Sequence, residues 1–357
     1  LSGILHKIDG GYLEGGGQIL RNALSLSCIL RRPIRVINIR ANRPNPGLSN
    51  QHLFSLNLLQ QVTKAHVKGN YIKSTEVEFY PTEIKSGKYS VDTRTAASIS
   101  LVLQAALPVF LFARSHTALE LFGGTNVSMA PQVDFLTEVV APNLELFGVR
   151  FEFNILRRGF YPRGGGHCNV TVQPVKVIKS AQITKFGNPQ EICGSCFVAG
   201  NLPAHLAQDL KTAAESNLQL HSKLPLSLTD YKDNRSRDNG AGIIIKAITT
   251  EGCVVGASAL GERKVDTGAM GLAAAKDLDH YITGKICVDR YVQDQLILFM
   301  ALADGVSRIS TCELTNHTKT AIHIAQKLAG VDFDVEQSND GNFIITCQGL
   351  GHINKNL

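Results

Sequence analysis

The chain has no tryptophan, and aromatic residues make up only 6% of its 357 residues. No segment approaches the roughly 18 consecutive apolar residues that a membrane-spanning helix needs. The first ten residues, LSGILHKIDG, contain no apolar core of the kind that a secretory signal peptide has. We therefore expect no association with a membrane. The scarcity of aromatic rings also disfavours a general RNA-binding module, which depends on a platform of stacked rings.

A strong excess of one charge is also absent. The chain has 36 basic and 30 acidic residues, which gives a net charge of +6. This mild bias suits a polyanionic partner such as RNA without being diagnostic, and no concentrated basic stripe marks a general RNA-binding module. Hydrophobic residues make up 44% of the chain and charged residues 18%, as in a globular protein with a sizeable core. The length suffices for two domains, or for one large domain with an insert.

The cysteine pattern gives no sign of a disulfide framework or a metal site. The eight cysteines are scattered, mostly within apolar runs, as reduced thiols of an intracellular protein are. Cys193 and Cys196 have CxxC spacing, but no second pair accompanies them, so a zinc site is not expected. Their segment reads as a strand, whereas a redox CxxC opens a helix. The other cysteines are Cys28, Cys168, Cys253, Cys287, Cys312 and Cys347.

Strand-like and helix-like segments alternate along the chain, which predicts an α/β protein. A similar unit recurs at about 4–81, at about 88–173 and, with an interruption, after 174. The predicted strands are 34–39, 109–113, 149–155 and 167–173, and the predicted helices are 50–62, 93–107 and 131–148.

A run of three glycines, Gly15 to Gly17, directly precedes an apolar helical pattern at 19–27. Such a turn lets the backbone approach an anion closely at the start of a helix. Glu14 before it is a candidate metal ligand, and Arg21 one turn into the helix is a candidate phosphate clamp. The spacing matches neither of the usual nucleotide-binding glycine motifs, so a simple tight turn is the alternative.

A second candidate anion site follows in the segment IRANRPNPGLSNQHL at 39–53. Arg40 and Arg43 are separated by a short loop, and Gln51 and His52 come at the start of the next predicted helix. Two guanidiniums beside a helix N-terminus would bind a terminal phosphate. The alternative is two solvated arginines in a loop.

Near the end of the chain, residues 313–330 read as a loop that enters an amphipathic helix. His317 lies where this helix begins, so a cleft can receive its side chain. The free N–H groups and partial positive charge of a helix N-terminus favour a phosphate, which suits a histidine nucleophile that attacks phosphorus. A capping or surface histidine is the alternative. Upstream, DRYVQDQL at 289–296 allows a helix that Asp289 or Asp294 caps.

Taken together and in order, these segments resemble the RNA 3′-terminal phosphate cyclase family, and most of all its animal enzymes. The resemblance covers about residues 8 to 352. Its motifs are EGGGQILR at 14–21, IRANRPNPGL at 39–48, FGGTNVSMAPQVD at 122–134, YPRGGG at 161–166, DRYVQDQL at 289–296 and NHTKTAIH at 316–323.

The resemblance implies a large domain built from three repeated βαβαββ-type units, with a smaller α/β domain inserted in the third. We expect the large catalytic domain at 1–182 and 281–357 and the insert at 183–280. The segment 222–242 within that insert is polar, charged and glycine-bearing, as a surface loop is.

The resemblance also implies an ATP-dependent, ligase-type enzyme of RNA processing that converts an RNA 3′-terminal phosphate to a 2′,3′-cyclic phosphodiester. A histidine takes AMP from ATP, the AMP passes to the RNA 3′-phosphate, and the neighbouring 2′-hydroxyl displaces it. Covalent catalysis thus replaces one hard step by easier ones. The cofactors expected are ATP and a divalent metal, Mg or Mn. The partner expected is RNA with a 3′-terminal phosphate; no protein partner is evident, and the location expected is the nucleoplasm.

Residue by residue, the resemblance makes His317 the nucleophile, and Glu14 is the candidate ligand for the divalent metal. It also implies a set of residues that contact the nucleotide. One of them, Gln104, lies in an apolar helix. A buried side-chain amide that lacks a hydrogen-bond partner costs folding free energy, which supports a role for Gln104 in binding a ligand. The nucleotide contacts are Gln104, Pro131, Tyr291, Asp294, Gln295 and His317, and the contacts to the phosphate and the RNA end are Arg21, Arg40, Arg43 and Gln51.

Two alternatives to an enzyme of this type come from related folds. One branch of the superfamily serves as a non-catalytic ribosome-assembly factor and lacks the histidine nucleophile. His317 is in register in NHTKTAIH, and the EGGGQ motif is intact, which favours the enzyme. The enolpyruvyl transferases share the expected fold, but their substrate motifs are not apparent in this chain.

Overall fold

The computed structural model describes residues 4–13, 15–221, 223–261 and 266–357. Across these ranges the protein has an α/β fold with four four-stranded sheets, which confirms the fold class expected from the sequence. Within the described ranges, no helix is both long and apolar enough to cross a membrane.

The first sheet carries the glycine-rich turn and the first two helices. Strand β1 runs parallel to β2, and β4 pairs with β2 and β3 in antiparallel fashion, so the order is β1-β2-β4-β3. Helix α1 follows β1 and begins at Gly17, the last of the three glycines. The elements are β1 (His6–Asp9), α1 (Gly17–Leu30), β2 (Ile34–Ile37), α2 (Asn50–Thr63), β3 (His66–Lys68) and β4 (Val77–Tyr80).

The second sheet has the same arrangement, a parallel pair followed by antiparallel neighbours, in the order β5-β6-β8-β7. Its second helical connection contains a π-helical stretch at Leu136–Val140 between two short α-helices. The elements are β5 (Lys88–Asp92), α3 (Ile99–Phe110), β6 (Thr117–Gly123), α4 (Val133–Phe135), α5 (Ala141–Glu145), β7 (Phe151–Arg157) and β8 (Gly166–Val172).

A third sheet has the order β11-β10-β12-β13, and two helices pack on it. It follows the short strand β9, which belongs to a different sheet. The elements are β9 (Gln182–Ile183), β10 (Pro189–Ala199), α6 (His205–Asn217), β11 (Leu226–Asp233), β12 (Gly240–Thr249), β13 (Val254–Gly261) and α7 (Thr267–Thr283).

The remaining sheet has the order β15-β16-β14-β9, with β9 parallel to β14 and the other pairs antiparallel. Three sheets therefore share one strand arrangement. Whether they are true repeats, and whether the domains divide at 182/183 and 280/281, stay predictions. The last elements are α8 (Gln293–Leu302), β14 (Val306–Thr311), α9 (Asn316–Ala329), β15 (Phe333–Gln337) and β16 (Phe343–Gln348).

The strand predicted at 109–113 is wrong. Helix α3 continues through Pro108 to Phe110, and the strand that follows is β6, from Thr117. All five residues at 109–113 are buried, and an apolar run that is buried on every side has no periodicity to separate a strand from a helix. Pro108 removes one helical hydrogen bond, yet Leu111 N–H still donates to the Leu107 carbonyl at 3.3 Å, so the helix persists.

Candidate active site

Three helices begin at one place in the structure, close to the glycine-rich turn. A Cβ placed on Gly17, the first residue of α1, would lie only 2.3 Å from Nε2 of His52, the third residue of α2. Gln51, the second residue of α2, donates to the Ser98 carbonyl at 2.9 Å and accepts from the Ser98 N–H at 2.6 Å. Ser98 is the N-cap of α3, and its Oγ accepts from Leu101 N–H at 3.3 Å. The first turns of α1, α2 and α3 therefore meet.

Two more helices begin beside them. Gln18 of α1 donates from Nε2 to Oδ2 of Asp294, the second residue of α8, at 2.6 Å. Gln293, the first residue of α8, accepts from Thr315 N–H at 3.1 Å and from Thr318 Oγ1 at 2.6 Å. Thr315 is the N-cap of α9. The first turns of five helices are thus linked by direct contacts, and each helix N-terminus adds partial positive charge to this region.

Three predicted phosphate-binding arginines lie in this region. Arg21 approaches Gly17, since a Cβ there would lie 3.1 Å from Arg21 Nη1, and a Cβ on Gly16 would lie 3.4 Å from Arg43 Nη2. Arg40 Nη1 donates to the carbonyls of Asn45 at 2.6 Å and Gly47 at 3.0 Å, which fixes its guanidinium. Burial, and then the charge of Arg43, lower the pKa of Arg40. Positive groups so gathered are arranged for an anion.

His52 lies among these arginines and stays neutral. Burial, assisted by the charges of Arg21 and Arg40, lowers its pKa to about 3. Its Nδ1 accepts from Ser49 N–H at 3.1 Å, so in the neutral ring the proton is on Nε2. Nε2 is the atom that faces Gly17. His52 therefore presents an N–H donor to the same space as the guanidiniums.

Asp294 is the carboxylate that faces Arg21. Burial raises the pKa of Asp294 to about 7, although the charge of Arg21 and the Gln18 hydrogen bond oppose the rise. Burial likewise lowers the pKa of Arg21 to about 10, while Asp294 opposes that fall. Desolvation outweighs mutual attraction on both sides, so the site holds a charge pair that the fold itself disfavours. Such perturbed groups concentrate at functional sites.

A narrow cleft of about 50 Å³ opens beside this pair. Three of the predicted nucleotide contacts, Gln104, Asp294 and Gln295, line it together with Gln18 and Asn22. The rest of the lining is apolar. Gln18 Oε1 and Asn22 Nδ2 are buried without a hydrogen-bond partner in the described structure, so the cleft offers an acceptor and a donor to a ligand. Its apolar lining is formed by Leu103, Leu107, Pro108, Leu136, Val140, Leu144, Phe151, Leu298 and Phe299.

Among the described residues that line this cleft, Pro131 and Tyr291 are not found, but each is bonded to a residue at or near it. The Pro131 carbonyl accepts from Ser100 Oγ at 2.7 Å, one turn before Gln104 on α3. Tyr291 is 42% exposed, and its ring meets Phe135 edge to face at 6.0 Å. Gln295 Nε2 donates to the Tyr291 carbonyl at 2.9 Å, which joins Tyr291 to the cleft wall.

The predicted nucleophile, His317, is the second residue of α9, and its side chain is exposed. The next residue, Thr318, is buried and bonded to Gln293, so the start of α9 is fixed against the start of α8. His317 therefore lies at an anchored helix N-terminus, next in sequence to a residue that contacts α8. Further along α9, the ring of His323 stacks on the ring of Tyr12, with centroids 4.0 Å apart.

The predicted metal ligand, Glu14, lies outside the described residues. In the part of the chain that the structure describes, no group of three or more His, Cys, Asp or Glu side chains could hold a metal. Asp289 is not available either, since its carboxylate accepts from the backbone N–H groups of Gly256, Tyr291 and Val292 at 2.9 to 3.1 Å.

Sequence reasoning missed three residues that build the site. Gln18 holds Asp294, and Gln293 joins α8 to α9. His52 was noted in the sequence but given no role. The only signal for Gln18 and Gln293 was their place in the motifs EGGGQ and DRYVQDQL, since buried glutamines at helix starts have no periodicity of their own.

Comparison with known proteins gives one consistent result. Residues 12–335 match the family model "RNA 3'-terminal phosphate cyclase". A Drosophila melanogaster RNA 3′-terminal phosphate cyclase is 49% identical over 98% of this chain and 98% of its own length. Enzymes of the same name from Pyrobaculum aerophilum and Pyrococcus abyssi are each 40% identical, over 97% and 92% of this chain and 99% and 94% of their own lengths.

Proposed function

The chain belongs to the RNA 3′-terminal phosphate cyclase family, and from this premise we propose that it is an enzyme that converts an RNA 3′-terminal phosphate to a 2′,3′-cyclic phosphodiester with ATP. The observation that supports this most directly is the meeting of five helix N-termini around Arg21, Arg40 and Arg43. A reaction in which ATP and a terminal phosphate must be held together needs such a concentration of positive groups.

In this proposal the RNA 3′-phosphate lies between the guanidiniums of Arg21, Arg40 and Arg43 and the N-termini of α1 and α2. Nε2–H of His52 adds a neutral donor. The amide of Gln51 is bonded twice to the Ser98 backbone, and it contributes by holding the α3 N-cap in place. A dianionic terminal phosphate suits three guanidiniums better than a diester within the chain does, which gives selectivity for the end.

His317 attacks the α-phosphorus of ATP in the proposed first step. A nitrogen–phosphorus bond forms, the bond to pyrophosphate breaks, and AMP is attached to the protein. An oxygen of the RNA 3′-phosphate next attacks this phosphorus and releases the histidine. The 2′-hydroxyl then attacks the activated 3′-phosphorus and AMP leaves. The α9 N-terminus stabilises negative charge near His317, and the last step gains from the proximity of the 2′-hydroxyl.

The cleft lined by Gln104, Asp294 and Gln295 is the proposed place for part of the nucleotide, with Tyr291 and Pro131 at its rim. Its free acceptor on Gln18 and free donor on Asn22 suit groups that carry both kinds of hydrogen-bonding atom. At about 50 Å³ the cleft itself receives a few atoms, so most of the nucleotide lies over the open side towards His317.

A divalent metal, Mg or Mn, completes the proposal, with Glu14 as its protein ligand. Such ions bind through one or two carboxylates and the oxygens of the substrate phosphates, so one carboxylate suffices. Bound there, the metal would neutralise charge on the triphosphate. The nuclear location expected from the family is likewise a proposal, which imaging of the tagged protein tests.

The deciding experiment is incubation of the protein with ATP labelled on the α-phosphorus and a divalent metal. An acid-labile, alkali-stable protein–AMP adduct is expected, together with cyclisation of RNA that ends in a 3′-phosphate and not of RNA with a 3′-hydroxyl. A matched His317→Ala protein should give no adduct. Absence of both adduct and cyclic product from the native protein would refute the proposed activity.

A further inference from the structure

A second, wider groove lies between the YPRGGG loop that precedes β8 and the loop that connects β11 to β12. Its volume is about 520 Å³, within the roughly 300–1,000 Å³ typical of ligand pockets. The lining is polar and aromatic, in contrast to the cleft beside Asp294. Tyr161, Arg163, Arg237, Asn201 and Asn239 supply the side chains that a ligand would meet.

The two walls of the groove are locked together. Asp238 is buried, and its carboxylate accepts from the backbone N–H of Arg163 at 3.0 Å and from Arg163 Nε at 2.8 Å. The ring of Phe160 packs against Gly240, where an added Cβ would lie 2.1 Å from the ring. The groove therefore keeps its shape without a ligand, and binding would cost little reorganisation.

The groove is electropositive. Arg237 is exposed, its aliphatic stem passes 3.6 Å from the Cβ position of Gly165, and its guanidinium has no partner within the described residues. The side chain of Arg163 is 65% exposed, although Asp238 binds its Nε edge. Asp238 is the only carboxylate among the described lining residues, and its oxygens face Arg163. The solvent-facing surface thus combines two guanidiniums with the ring of Tyr161, 44% exposed.

This groove adjoins the proposed phosphate site. A Cβ on Gly164, at the base of the YPRGGG loop, would lie 2.2 Å from the Thr95 carbonyl. Thr95 is three residues from Ser98, so at most about 10 Å of backbone separates them. Ser98 is bonded to Gln51 beside the arginine cluster. Arg94, the residue before Thr95, is exposed and adds a positive side chain near this connection.

We propose that this groove binds the single-stranded RNA upstream of the 3′-terminal nucleotide. A base would stack on Tyr161, and the guanidiniums of Arg237 and Arg163 would contact the backbone phosphates. Unpaired RNA is recognised by aromatic stacking combined with a basic channel, and that combination is what the groove offers. The proposal rests on the proposed function, because it takes the 3′-phosphate to be held at Arg21, Arg40 and Arg43.

The test compares two substrates of different length in Tyr161→Ala and Arg237→Ala. For a twelve-nucleotide RNA with a 3′-phosphate, KM should rise about tenfold in each variant, as loss of a stacked base or a phosphate contact does. For a nucleoside 3′-phosphate, which has nothing upstream, kcat/KM should not change. In Arg237→Ala the slope of log affinity against log salt should fall by about 0.7, the value for one phosphate contact on a single strand.

Arg114→Ala is the matched control, since Arg114 is an exposed arginine beyond the other end of α3. It should leave both substrates unaffected, and adduct formation with labelled ATP should be normal in all three variants. An unchanged KM for the long RNA in both groove variants, or an equal loss on the nucleoside 3′-phosphate, would overturn the inference. Failure of the native protein to cyclise either substrate would instead refute the proposed function.

Discussion

Asp294→Asn should make the protein more stable at alkaline pH, relative to the native protein, while it impairs adenylation. The amide keeps the shape of the carboxylate, and its oxygen can still accept from Gln18 Nε2, which now lies 2.6 Å from Asp294 Oδ2. What the substitution removes is a charge in a site where burial raises the pKa of the carboxyl from 3.8 to about 7. The perturbation therefore isolates ionisation from packing.

The magnitude follows from proton linkage. Because the folded state holds this proton more tightly, the contribution of Asp294 to the free energy of unfolding is fully present below about pH 4 and is lost as the pH rises through about 7. Between pH 5 and pH 8 the loss amounts to about 2–3 kcal/mol. Arg21, with a pKa of about 10, stays charged throughout that range. The loss of its charged partner in Asp294→Asn therefore changes the unfolding free energy of the variant by an amount that does not depend on pH. In a chain of this length the pH-dependent part equals about 3–4 °C in Tm.

The assay is the Tm of the native and Asp294→Asn proteins at half-unit steps from pH 5 to pH 8, and the quantity read is their difference. Asp289, whose pKa burial also raises to about 7, titrates in both proteins and therefore largely cancels in the difference. The difference should move in favour of the variant as the pH rises. A flat difference, or one that moves in favour of the native protein, would show that Asp294 is not a buried, disfavoured charge.

Three further predictions concern the proposed reaction. His317→Ala should lose the protein–AMP adduct yet still cyclise RNA that is already adenylated, because the last step needs no histidine nucleophile; retention of the adduct would contradict the assignment, as would loss of the last step. RNA with a 2′-deoxy terminal nucleotide should accumulate the adenylated form, seen as a slower band on a denaturing gel, and prompt release of AMP from it would contradict the mechanism. Gly17→Ala should lower cyclisation at least tenfold, because the added Cβ would lie 2.3 Å from His52 Nε2, whereas Gly268→Ala at the start of α7, where a Cβ meets nothing closer than 3.5 Å, should not; equal activities would refute the tight packing at Gly17.

Local pattern was sufficient to predict several elements of this site. The three glycines followed by an apolar pattern predicted α1, which begins at Gly17, and the pattern after His317 predicted α9. The predicted helix at 93–107 begins later, at Ile99, because Ser98 caps it. The predicted end of this helix, at 107, was wrong, because α3 continues to Phe110. The run at 109–113 is buried on every side, so its sequence has no periodicity that distinguishes a helix from a strand.

Contacts between distant residues could not be predicted from pattern. Gln18 and Asp294 are 276 residues apart, and nothing in either segment indicates the other. The resemblance placed Asp294 near a nucleotide, but not against Arg21. The raised pKa of Asp294 and the neutral state of His52 result from such long-range packing, because burial is the largest cause of both shifts.

The arrangement of the five helix starts explains why the chain tolerates a site that destabilises it. Each first turn is anchored by a neighbour: Gln51 by Ser98, Gln18 by Asp294, and Thr318 by Gln293. The helices cannot separate to relieve the repulsion among their N-termini and the three arginines without breaking these hydrogen bonds. A bound anion would instead offset the repulsion among the positive groups, which the protein without a ligand retains. Ligand binding should therefore raise the stability of the whole cluster, in proportion to how tightly the anion is held.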